Sequence, residues 1–565
     1  MPTVEATFTD ADVARVETPS GVWFLLGANH VDVASVTALT TGGEPKEFCR
    51  RNRDALVVFV ETQHGHAVQL GLWKSLFSSH ELFYTVRPSG DVVVSDHFRN
   101  VLAALPTAAR QPDEHSLVGH YLTRKPFGKR TYSRSIARLS HAESVQIDLR
   151  TSRVQSSVFD RISSDAEKRP SSEYLATIDA ALDQAFAKVP TDGGAALMFS
   201  GGVDSTLLMT YASDVIQPVT FVPDTPEFRG ETEYARHAMS LLGRETLEIP
   251  APEACFVDML EAATDALGTP VFDDSSPYFA DAILNQPHET FILGIGADSA
   301  FGMSLKLSRF SSWFRFPGVR HAVSGLAPHA PGHLGYRLGQ VAPKAEGFAR
   351  NLLDPDGYAG NARSFGDTSL FQVTVDPSLV SRVKTEQLDY VTKRVERAAD
   401  PGSAFLSHIE LSHWMVVFGN ALMHDRLTAQ SIGRRVAGPY CDADILSKLA
   451  TIPVEERYIQ GLRAKWMLKD LLDQRLPAYP SNQRKKATAL PYERFYRDGP
   501  LTTIWDRYDV PDIFEGELRD ELISSPSTST WNAITYAVWE QRVAKNPDLQ
   551  PHDANLMVSF TIEPS

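Results

Sequence analysis

The stretch AALMFSGGVDST (residues 195–206) decides the fold of this chain. Its first part, AALM, is a short apolar run of the kind that forms a buried strand, and the apolar LLMTYA beyond it predicts a helix. Gly201 and Gly202 stand between the two and permit the backbone conformations that a tight strand-to-helix turn needs. A buried strand that turns into a helix in this way is typical of α/β proteins with a parallel sheet.

The sequence after residue 194 repeats this alternation. Strand patterns that follow the first one lie at 218–224, 245–249 and 289–296. Helix patterns separate them at 231–243 and 256–267, and beyond about residue 400 the chain is mainly helical in pattern. The carboxyl ends of parallel strands meet at one edge of their sheet, so we expect a ligand site at that edge.

The segment from about 55 to 150 has a different, β-rich pattern. Runs of Val, Phe and Tyr separated by turn residues occur at 55–61, 66–73, 82–87 and 91–96. The polar stretch 161–172 lacks periodicity and is predicted to be a linker. We therefore predict an α/β protein with a β-rich sandwich over 1–160 and a parallel-sheet domain with a helical C-terminal part over 173–565.

Composition narrows the class of protein. The chain has 565 residues, which is long enough for two or three domains, and its net charge is −15. An acidic chain of this kind is not expected to bind nucleic acid, and no apolar run is long enough to span a membrane. The three cysteines are far apart and form no CxxC pair, which favours a reducing, cytoplasmic location.

The glycine loop carries the side chains of a phosphate site. N–H groups at the start of a helix attract anions, and the helix dipole adds to this attraction. Ser200 and Ser205 can add hydroxyl donors beside Gly201 and Gly202. Asp204 would repel a phosphate unless a cation lay between them, so it is predicted to bind Mg²⁺.

A second glycine-rich loop, LGIGADSAFG (293–302), follows the next apolar strand. Asp298 lies within this loop and is expected to reach the same Mg²⁺ from the other side. Gly294 is predicted to belong to the nucleotide-binding residues, because it lies at the same sheet edge as the first loop. Two Gly–Asp loops at strand ends of one sheet indicate a single site.

Both loops resemble motifs of a known superfamily. SGGVDS (200–205) resembles the SGGxDS signature of the N-type ATP pyrophosphatases, which cleave ATP between the α and β phosphates. GIGADSAFG (294–302) resembles the GEGADExFGG motif of class B asparagine synthetases and the matching loop of β-lactam synthetases. Segments 81–106 and 131–148 are similar to the late part of the glutaminase domain of these enzymes. The resemblance implies an adenine nucleotide α-hydrolase-like synthetase domain behind a degenerate, glutaminase-like domain, with ATP and Mg²⁺ as cofactors.

Motifs near the C-terminus occur in the order of the same superfamily. They are HDRLT (424–428), GPYCDADIL (438–446), KWMLKDLLDQRLP (465–477) and RKKATALP (484–491). By resemblance, Lys465 and Lys486 are the catalytic lysines that face the phosphates, where a compact ammonium charge offsets developing negative charge. The backbone around Phe221 and Val222 is expected to face adenine.

The chain departs from the superfamily pattern in two ways. Working glutaminases use a cysteine directly after the initiator methionine, whereas this chain has Pro2, which offers neither a thiolate nor a primary amine. Ile295 stands where asparagine synthetases carry Glu and β-lactam synthetases carry Tyr, and Arg426 stands at the position resembling the partner Glu. We therefore expect no glutamine hydrolysis, and the base could be His424, Asp425 or a group of the substrate.

The leading hypothesis is an ATP-dependent amide ligase. It adenylates a small-molecule or peptide carboxylate, releases pyrophosphate and couples the acyl group to an amine. Superfamily members without the N-terminal cysteine close an amide within one substrate, as in β-lactam formation and in lasso-peptide macrolactam formation. The lasso type is slightly favoured and implies a precursor peptide and a protease as partners. A biosynthetic amidotransferase that takes free ammonia, and a non-catalytic nucleotide-binding scaffold, stay open as alternatives.

Overall fold

The computed structural model describes the chain in eleven stretches. These stretches contain a mixed sheet of five strands, an antiparallel sheet of six strands, a parallel sheet of five strands and a two-stranded hairpin. The described residues are 2–10, 12–27, 33–163, 166–302, 377–396, 404–419, 422–461, 463–482, 490–514, 516–524 and 528–562.

The N-terminal part of the chain forms two sheets, which we call the N-terminal sheet pair. The five strands of the first sheet, in spatial order, are β18 (Leu556–Thr561), β1 (Thr3–Phe8), β7 (Val92–Ser95), β6 (Phe83–Val86) and β8 (Ala137–Arg138). The six strands of the second, antiparallel sheet, in spatial order, are β10 (Arg153–Val158), β9 (Glu143–Asp148), β5 (His66–Lys74), β4 (Leu56–Gln63), β3 (Gly21–Leu26) and β2 (Ala14–Thr18). Helices beside these sheets are α1 (Val33–Thr40), α2 (Pro45–Arg51), α3 (Phe98–Ala103) and α4 (Glu114–Thr123), with a 3₁₀ turn at Thr107–Ala109.

Alternating side chains join the two sheets into one core. Val4, Ala6 and Phe8 of β1 are fully buried, and they share a hydrophobic cluster with Phe24 and Leu72 of the second sheet. This alternation follows from the period of two in a strand, which turns every second side chain to the same face. The four strands predicted between residues 55 and 96 are confirmed as β4 to β7.

The last strand of the chain belongs to the first sheet. β18 runs antiparallel to β1, with Thr561 opposite Thr3 and Leu556 opposite Phe8. The hydrophobic pattern did not predict this pairing, because the residues of β18 alternate between half-buried and exposed positions. The division of the chain between 160 and 173 stays a prediction, and the final strand packs with the first part of the chain.

The parallel sheet forms as the strand–helix alternation predicts. Its spatial order is β13 (Leu247–Ala251), β12 (Ile216–Pro223), β11 (Ala195–Met198), β14 (Thr290–Ile292) and β15 (Arg435–Ala437), and each neighbouring pair is parallel. The strand before the glycine loop, β11, lies at the centre and all four of its residues are buried. The edge strand β15 was not predicted, since three residues of mixed character give too little signal.

Helices pack around this sheet and extend it towards the C-terminus. Helix α5 (Ser171–Ala187) precedes the first strand of the sheet. The helices between its strands are α6 (Val203–Met209), α7 (Arg229–Leu242), α8 (Phe256–Leu267), α9 (Ser276–Asn285) and α10 (Ala297–Ala300), with 3₁₀ turns at Pro226–Phe228 and Glu253–Cys255. The later helices are α11 (Pro377–Thr392), α12 (Ala404–Phe418), α13 (Met423–Gln430), α14 (Ala443–Ala450), α15 (Val454–Arg457), α16 (Trp466–Arg475), α17 (Tyr492–Arg497), α18 (Ile504–Arg507), α19 (Glu517–Ser524) and α20 (Thr528–Trp539). A 3₁₀ turn at Pro439–Cys441, a hairpin of β16 (Ile459–Gln460) and β17 (Arg463–Ala464), and a π turn at Glu540–Ala544 complete the described elements.

The stretch predicted to be a linker, 161–172, is partly ordered by neighbouring elements. Ile162 forms an isolated bridge with Val395, and its N–H donates to the carbonyl of Arg394 at 2.7 Å. Helix α5 already begins at Ser171. Among the described helices, none combines the length and the apolar character that crossing a membrane requires.

The N-terminal sheet pair and the parallel sheet meet along a polar seam, which we define by the contacts of Asp10 and Asp12. The carboxylate of Asp10 lies 3.2 Å from Nδ1 of His80 and accepts a hydrogen bond from Gln430 at 3.1 Å. Arg435 of the edge strand donates two hydrogen bonds to Asp12, at 2.9 and 3.1 Å. A cavity of about 170 Å³ lies in this seam. The seam is therefore cross-linked by charged side chains from both sides.

Candidate nucleotide and metal site

The glycine loop folds as its sequence predicts. Gly201 adopts φ +70°, and a Cβ atom there would lie 2.6 Å from the Cα of Ala235, so only glycine fits. Gly202 caps helix α6, and Ser200 and Ser205 face each other with their hydroxyl oxygens 3.2 Å apart. The N–H groups of the turn and the two hydroxyls therefore gather at the carboxyl edge of the central strand, which is the arrangement that binds phosphate.

Asp204, Asp298 and Lys465 converge at this edge, and we call them the edge triad. The ammonium of Lys465 lies 2.6 Å from a carboxylate oxygen of Asp204 and 2.9 Å from one of Asp298. Burial disfavours the charge of Lys465, but the two carboxylates outweigh that effect and raise its pKa above the ordinary value. The two carboxylates come from separate loops of the sequence. They thus share one cation, the ammonium of Lys465.

Local backbone geometry holds the edge triad in place. Lys465 has a left-handed conformation, with φ +51°, directly before helix α16. Asp298 lies in the short helix α10, which Gly296 precedes with φ +90°. A Cβ atom on Gly302 would lie 3.0 Å from the Cε of Lys465, so the chain needs a glycine where the lysine passes. A left-handed lysine costs about 1 kcal/mol, and such strain is concentrated at functional sites.

Three further residues support or extend the site, and the sequence did not single them out. The hydroxyl of Tyr479 donates to the carbonyl of Gly201 at 2.7 Å, and that of Tyr440 donates to the carbonyl of Asp204 at 2.8 Å. Lys469 lies one helical turn after Lys465, and burial together with nearby positive charge lowers its pKa. Tyr440 and Lys469 fall inside motifs that were noticed, but nothing in the bare pattern separates them from their neighbours.

The nucleotide-binding residues predicted on the neighbouring strands lie at the same edge. A Cβ on Gly294 would be 3.8 Å from the Cβ of Asp204, so this glycine adjoins the first loop. Phe221 and Val222 lie near the carboxyl end of β12, next to β11, and both are half-buried. The ring of Phe221 packs edge-on against Phe279, with centroids 5.5 Å apart.

Two predictions fall on residues that the structure does not describe. Lys486 lies within 483–489, so its role as a second phosphate-facing lysine stays a prediction from resemblance. The stretch 303–400 has no recognisable motif in the sequence and is expected to shape the substrate pocket; of it, the structure describes 377–396.

The positions that depart from the superfamily pattern have other contacts. Ile295 packs against a hydrophobic cluster of the parallel sheet, and its carbonyl accepts a hydrogen bond from the Cys441 thiol at 3.6 Å. Arg426 donates from Nη1 to the hydroxyl of Ser79, at 2.7 Å, and so contributes to the seam. Neither side chain is chemically able to take up a proton at neutral pH.

Two carboxylates of the edge triad, those of Asp204 and Asp298, are candidate ligands for Mg²⁺. Among the described residues, no cluster of three or more His, Cys, Asp or Glu side chains could hold a metal ion. Mg²⁺, however, is usually held by one or two carboxylates together with the phosphates of the substrate and water. Asp204 and Asp298 supply that number of carboxylates, both in contact with the Lys465 ammonium, so the residues fit a nucleotide-bound Mg²⁺ rather than an all-protein metal centre.

Comparison with known proteins agrees with this geometry. A family model described as "Asparagine synthase" matches residues 177–517, which is more than half of the chain and includes the edge triad. The chain therefore belongs to the asparagine synthase family. A search of curated proteins gives no match. Membership of the family supports an ATP-dependent ligase that forms amide bonds as the general class of activity.

Proposed function

We propose that the protein is an AMP-forming amide ligase that adenylates a substrate carboxylate with ATP and then transfers the acyl group to an amine. The observation that carries the proposal is the edge triad, in which Lys465 bridges Asp204 and Asp298 beside the Ser200–Ser205 loop. The fit of two carboxylates to a nucleotide-bound Mg²⁺, described above, supports the same chemistry.

Each residue has a defined task in the first half-reaction. Mg²⁺ held by Asp204 and Asp298 would neutralise the phosphate oxygens and so make the α-phosphorus more electrophilic. The N–H groups and hydroxyls of the glycine loop hold the phosphates in line with the incoming carboxylate. Lys465, whose raised pKa keeps it charged, stabilises the negative charge that gathers on the departing pyrophosphate.

We further propose that the amine does not come from glutamine. The superfamily uses a cysteine thiolate at the position of Pro2, and a proline ring cannot replace it. The carbonyl of Pro2 accepts a hydrogen bond from Ile562 of the final strand, so this position serves the sheet. Cys49, the cysteine next along the chain, is buried, and burial raises the pKa of its thiol to about 12. Its thiol therefore stays protonated at neutral pH and is a poor nucleophile.

The amine is proposed to belong to the substrate itself, as in the formation of a lasso-peptide macrolactam or of a β-lactam. A peptide substrate would bring a precursor peptide and a protease as partners. Use of free ammonia is the second candidate. What supports an intramolecular amine is the combination of Pro2 with the hydrophobic Ile295, which removes two groups that a glutamine-dependent asparagine synthetase employs.

The experiment is a pyrophosphate-release assay with ATP and Mg²⁺. The carboxylates are L-aspartate, L-glutamate and linear peptides with a free amino terminus and an internal Asp or Glu. We expect carboxylate-dependent release of pyrophosphate and AMP, which Asp298→Ala abolishes. Measurable ATP binding without release for every carboxylate would favour the scaffold instead, and unchanged turnover in Asp298→Ala would refute the metal assignment.

A further inference from the structure

A buried carboxyl group at the start of helix α13 is not used by the first half-reaction. Asp425 lies in the first turn of helix α13, and the residue is only 8% exposed. Among the described residues, burial and the negative charge of Asp273 act on its carboxyl group, and no hydrogen bond or opposite charge stabilises the carboxylate. A buried acid without a partner costs free energy, so its retention indicates a role other than packing.

The first turn of α13 adjoins the loop that carries Asp298. Leu422, which precedes the helix, packs in the same hydrophobic cluster as Ile295 and Phe221. Leu422 also lies against Gly438, since a Cβ on that glycine would be 2.2 Å from it. Cys441, three residues after Gly438, bonds to the carbonyl of Ile295. The helix start is thus held at the carboxyl edge of the parallel sheet, between the predicted adenine side and the Asp298 loop.

A second acid accompanies Asp425 at this edge. The N–H of Phe272 donates to Nδ1 of His424 at 3.2 Å, which places Asp273 beside the first turn of α13. Asp273 lies 3.8 Å from the guanidinium of Arg124. Burial opposes its ionisation, but a hydrogen bond with Asp274 and the charge of Arg124 lower its pKa, so Asp273 is charged at neutral pH.

His424 and Asp425, the two protein groups proposed as proton acceptors, differ in pKa and in hydrogen bonding. Nδ1 of His424 already accepts the Phe272 N–H, and burial lowers the pKa of His424 to about 3, so the ring neither gains a proton nor has a free acceptor. Burial and the charge of Asp273 raise the pKa of Asp425 to about 7. A carboxylate of this kind is suited to accept a proton near neutral pH.

We propose that Asp425 is the general base of the second half-reaction and that, together with Asp273, it receives the attacking amine. This rests on the proposed function. The amine nitrogen forms a bond to the acyl carbon while the bond from that carbon to the AMP oxygen breaks, and its electron pair stays on the phosphate. The proton released by nitrogen passes to the carboxylate of Asp425. Asp273 acts as a positioning residue, because it accepts an N–H of the amine and sets the basicity of Asp425.

The charges around Asp425 define what a pH profile would report. Asp273 acts on Asp425 directly. Asp274 and Arg124 lie beside Asp273, and Lys125, His120 and Arg138 lie beside His424. The adjacent Arg426 donates to Ser79 instead. On the helices packed against α13, Glu261 accepts the hydroxyl of Tyr508 and pairs with Arg542, and Asp281 accepts the side-chain amide of Asn285. The last two acids are thus engaged elsewhere, and the negative charge that raises the pKa of Asp425 comes from Asp273.

The test separates the two half-reactions in the full chain. Pyrophosphate release is measured with the carboxylates named above, and acyl transfer is measured with ammonia and with hydroxylamine. Hydroxylamine is unprotonated and strongly nucleophilic at neutral pH, so it needs little help from a base. We expect Asp425→Asn to keep pyrophosphate release and hydroxamate formation within about 3-fold, and to lose ammonia-dependent amide formation by about 100-fold. The matched control Asp281→Asn keeps all three activities.

A second variant tests the same assignment without removing the base. Asp273→Asn should lower the pKa of Asp425, so the acid limb of the rate of amide formation, corrected for unprotonated ammonia, moves to lower pH. Ammonia transfer at the wild-type rate in Asp425→Asn would overturn the assignment. So would a loss of pyrophosphate release in Asp425→Asn that equals its loss of amide formation, or an acid limb that does not move in Asp273→Asn. If the wild-type chain releases no pyrophosphate with any carboxylate, the proposed function fails, and the role of Asp425 fails with it.

Discussion

The edge triad and the seam are two places where charged side chains gather, and they are built differently. At the edge triad one ammonium faces two carboxylates, and Asp298 keeps 77% of its side chain exposed. At the seam, acids of the N-terminal sheet pair are matched with specific donors. Asp10 contacts His80 and Gln430, and Asp12 accepts hydrogen bonds from Nε and Nη2 of Arg435.

The difference separates a site from a structural contact. A carboxylate whose lone pairs are filled by fixed donors has little capacity left for a ligand, and it serves to hold two elements together. The edge triad has two carboxylates and one ammonium at a partly open strand edge. Its carboxylates are therefore able to bind a hydrated cation with its phosphates in place of the lysine. We therefore expect substitutions at the edge triad to change chemistry and those at the seam to change stability.

The largest expected effect is on catalysis, from Lys465→Ala. Removal of this ammonium leaves the charge of the departing pyrophosphate without its nearest cation, so pyrophosphate release should fall by about 1000-fold. The matched control is Lys188→Ala beside the cavity of the seam, where the lysine pairs with Asp442 and Asp444 at 3.0 and 2.7 Å. Pyrophosphate release by Lys188→Ala should stay within about 2-fold of the wild-type rate, because a partly exposed ion pair contributes about 1 kcal/mol or less. Equal losses in both variants would erase the distinction between the two regions.

The next effect concerns stability at two glycines with the same backbone conformation. Gly201 and Gly433 both have φ +70°, but a Cβ would meet backbone atoms of Ala235 at Gly201 and nothing within 4 Å at Gly433. Both alanine substitutions pay the left-handed strain of about 1 kcal/mol, and Gly201→Ala adds the displacement of helix α7. We expect chemical denaturation to show a loss of about 3 kcal/mol for Gly201→Ala and about 1 kcal/mol for Gly433→Ala. Similar losses at both positions would mean that the glycine loop is not tightly packed.

A further effect on stability depends on pH and contrasts two buried acids. The pKa of Asp425 is raised to about 7 from 3.8, so the folded state binds its proton more tightly than the unfolded state does, and the chain loses stability as pH rises between those values. Asp425→Asn should therefore gain up to about 4 kcal/mol at pH 8 and almost nothing near pH 4. Burial opposes the charge of Asp10, but His80 and Arg426 lower its pKa below the ordinary value, so Asp10→Asn should instead lose about 1–3 kcal/mol at neutral pH. Urea denaturation at the two pH values measures both, and a destabilised Asp425→Asn at pH 8 would contradict this contrast.

The smallest effect is an expected null result. If the N-terminal sheet pair contributes packing and no glutaminase chemistry, L-glutamine should release no glutamate above the buffer rate, and it should not change the rate of AMP formation. A coupled glutamate assay measures this directly. Release of one glutamate per AMP would show that the sheet pair is a working glutaminase despite Pro2 and the protonated thiol of Cys49.

The sequence predicted most of the parallel sheet and of the site, because both follow from local signals. The strand, glycine turn and helix at 195–209 depend on neighbouring residues, and the carboxyl ends of parallel strands must meet at one edge. That rule brought Asp204 and Asp298 together before any coordinates. Lys465 was assigned to the site only through resemblance, since its position beside Asp204 and Asp298 depends on a left-handed backbone after a hairpin that no propensity indicates.

The features that were missed depend on contacts between distant segments. β18 pairs with β1 across nearly the whole chain, and the three-residue strand β15 gains its place only from the sheet edge. The support from Tyr479 to the glycine loop also joins separate motifs. The isolation of Asp425 depends on what surrounds it in space, so the sequence could name it as a candidate base but could not choose between it and His424.

The most direct test of the central claim follows oxygen from the substrate carboxylate. The carboxylate is labelled with ¹⁸O, and the AMP formed with ATP, Mg²⁺ and an amine is examined by mass spectrometry. An acyl-adenylate leaves one carboxylate oxygen on the phosphate when the amine displaces AMP, so we predict one ¹⁸O atom per AMP. Label in inorganic phosphate together with ADP, or AMP without label, would contradict adenylation of the carboxylate.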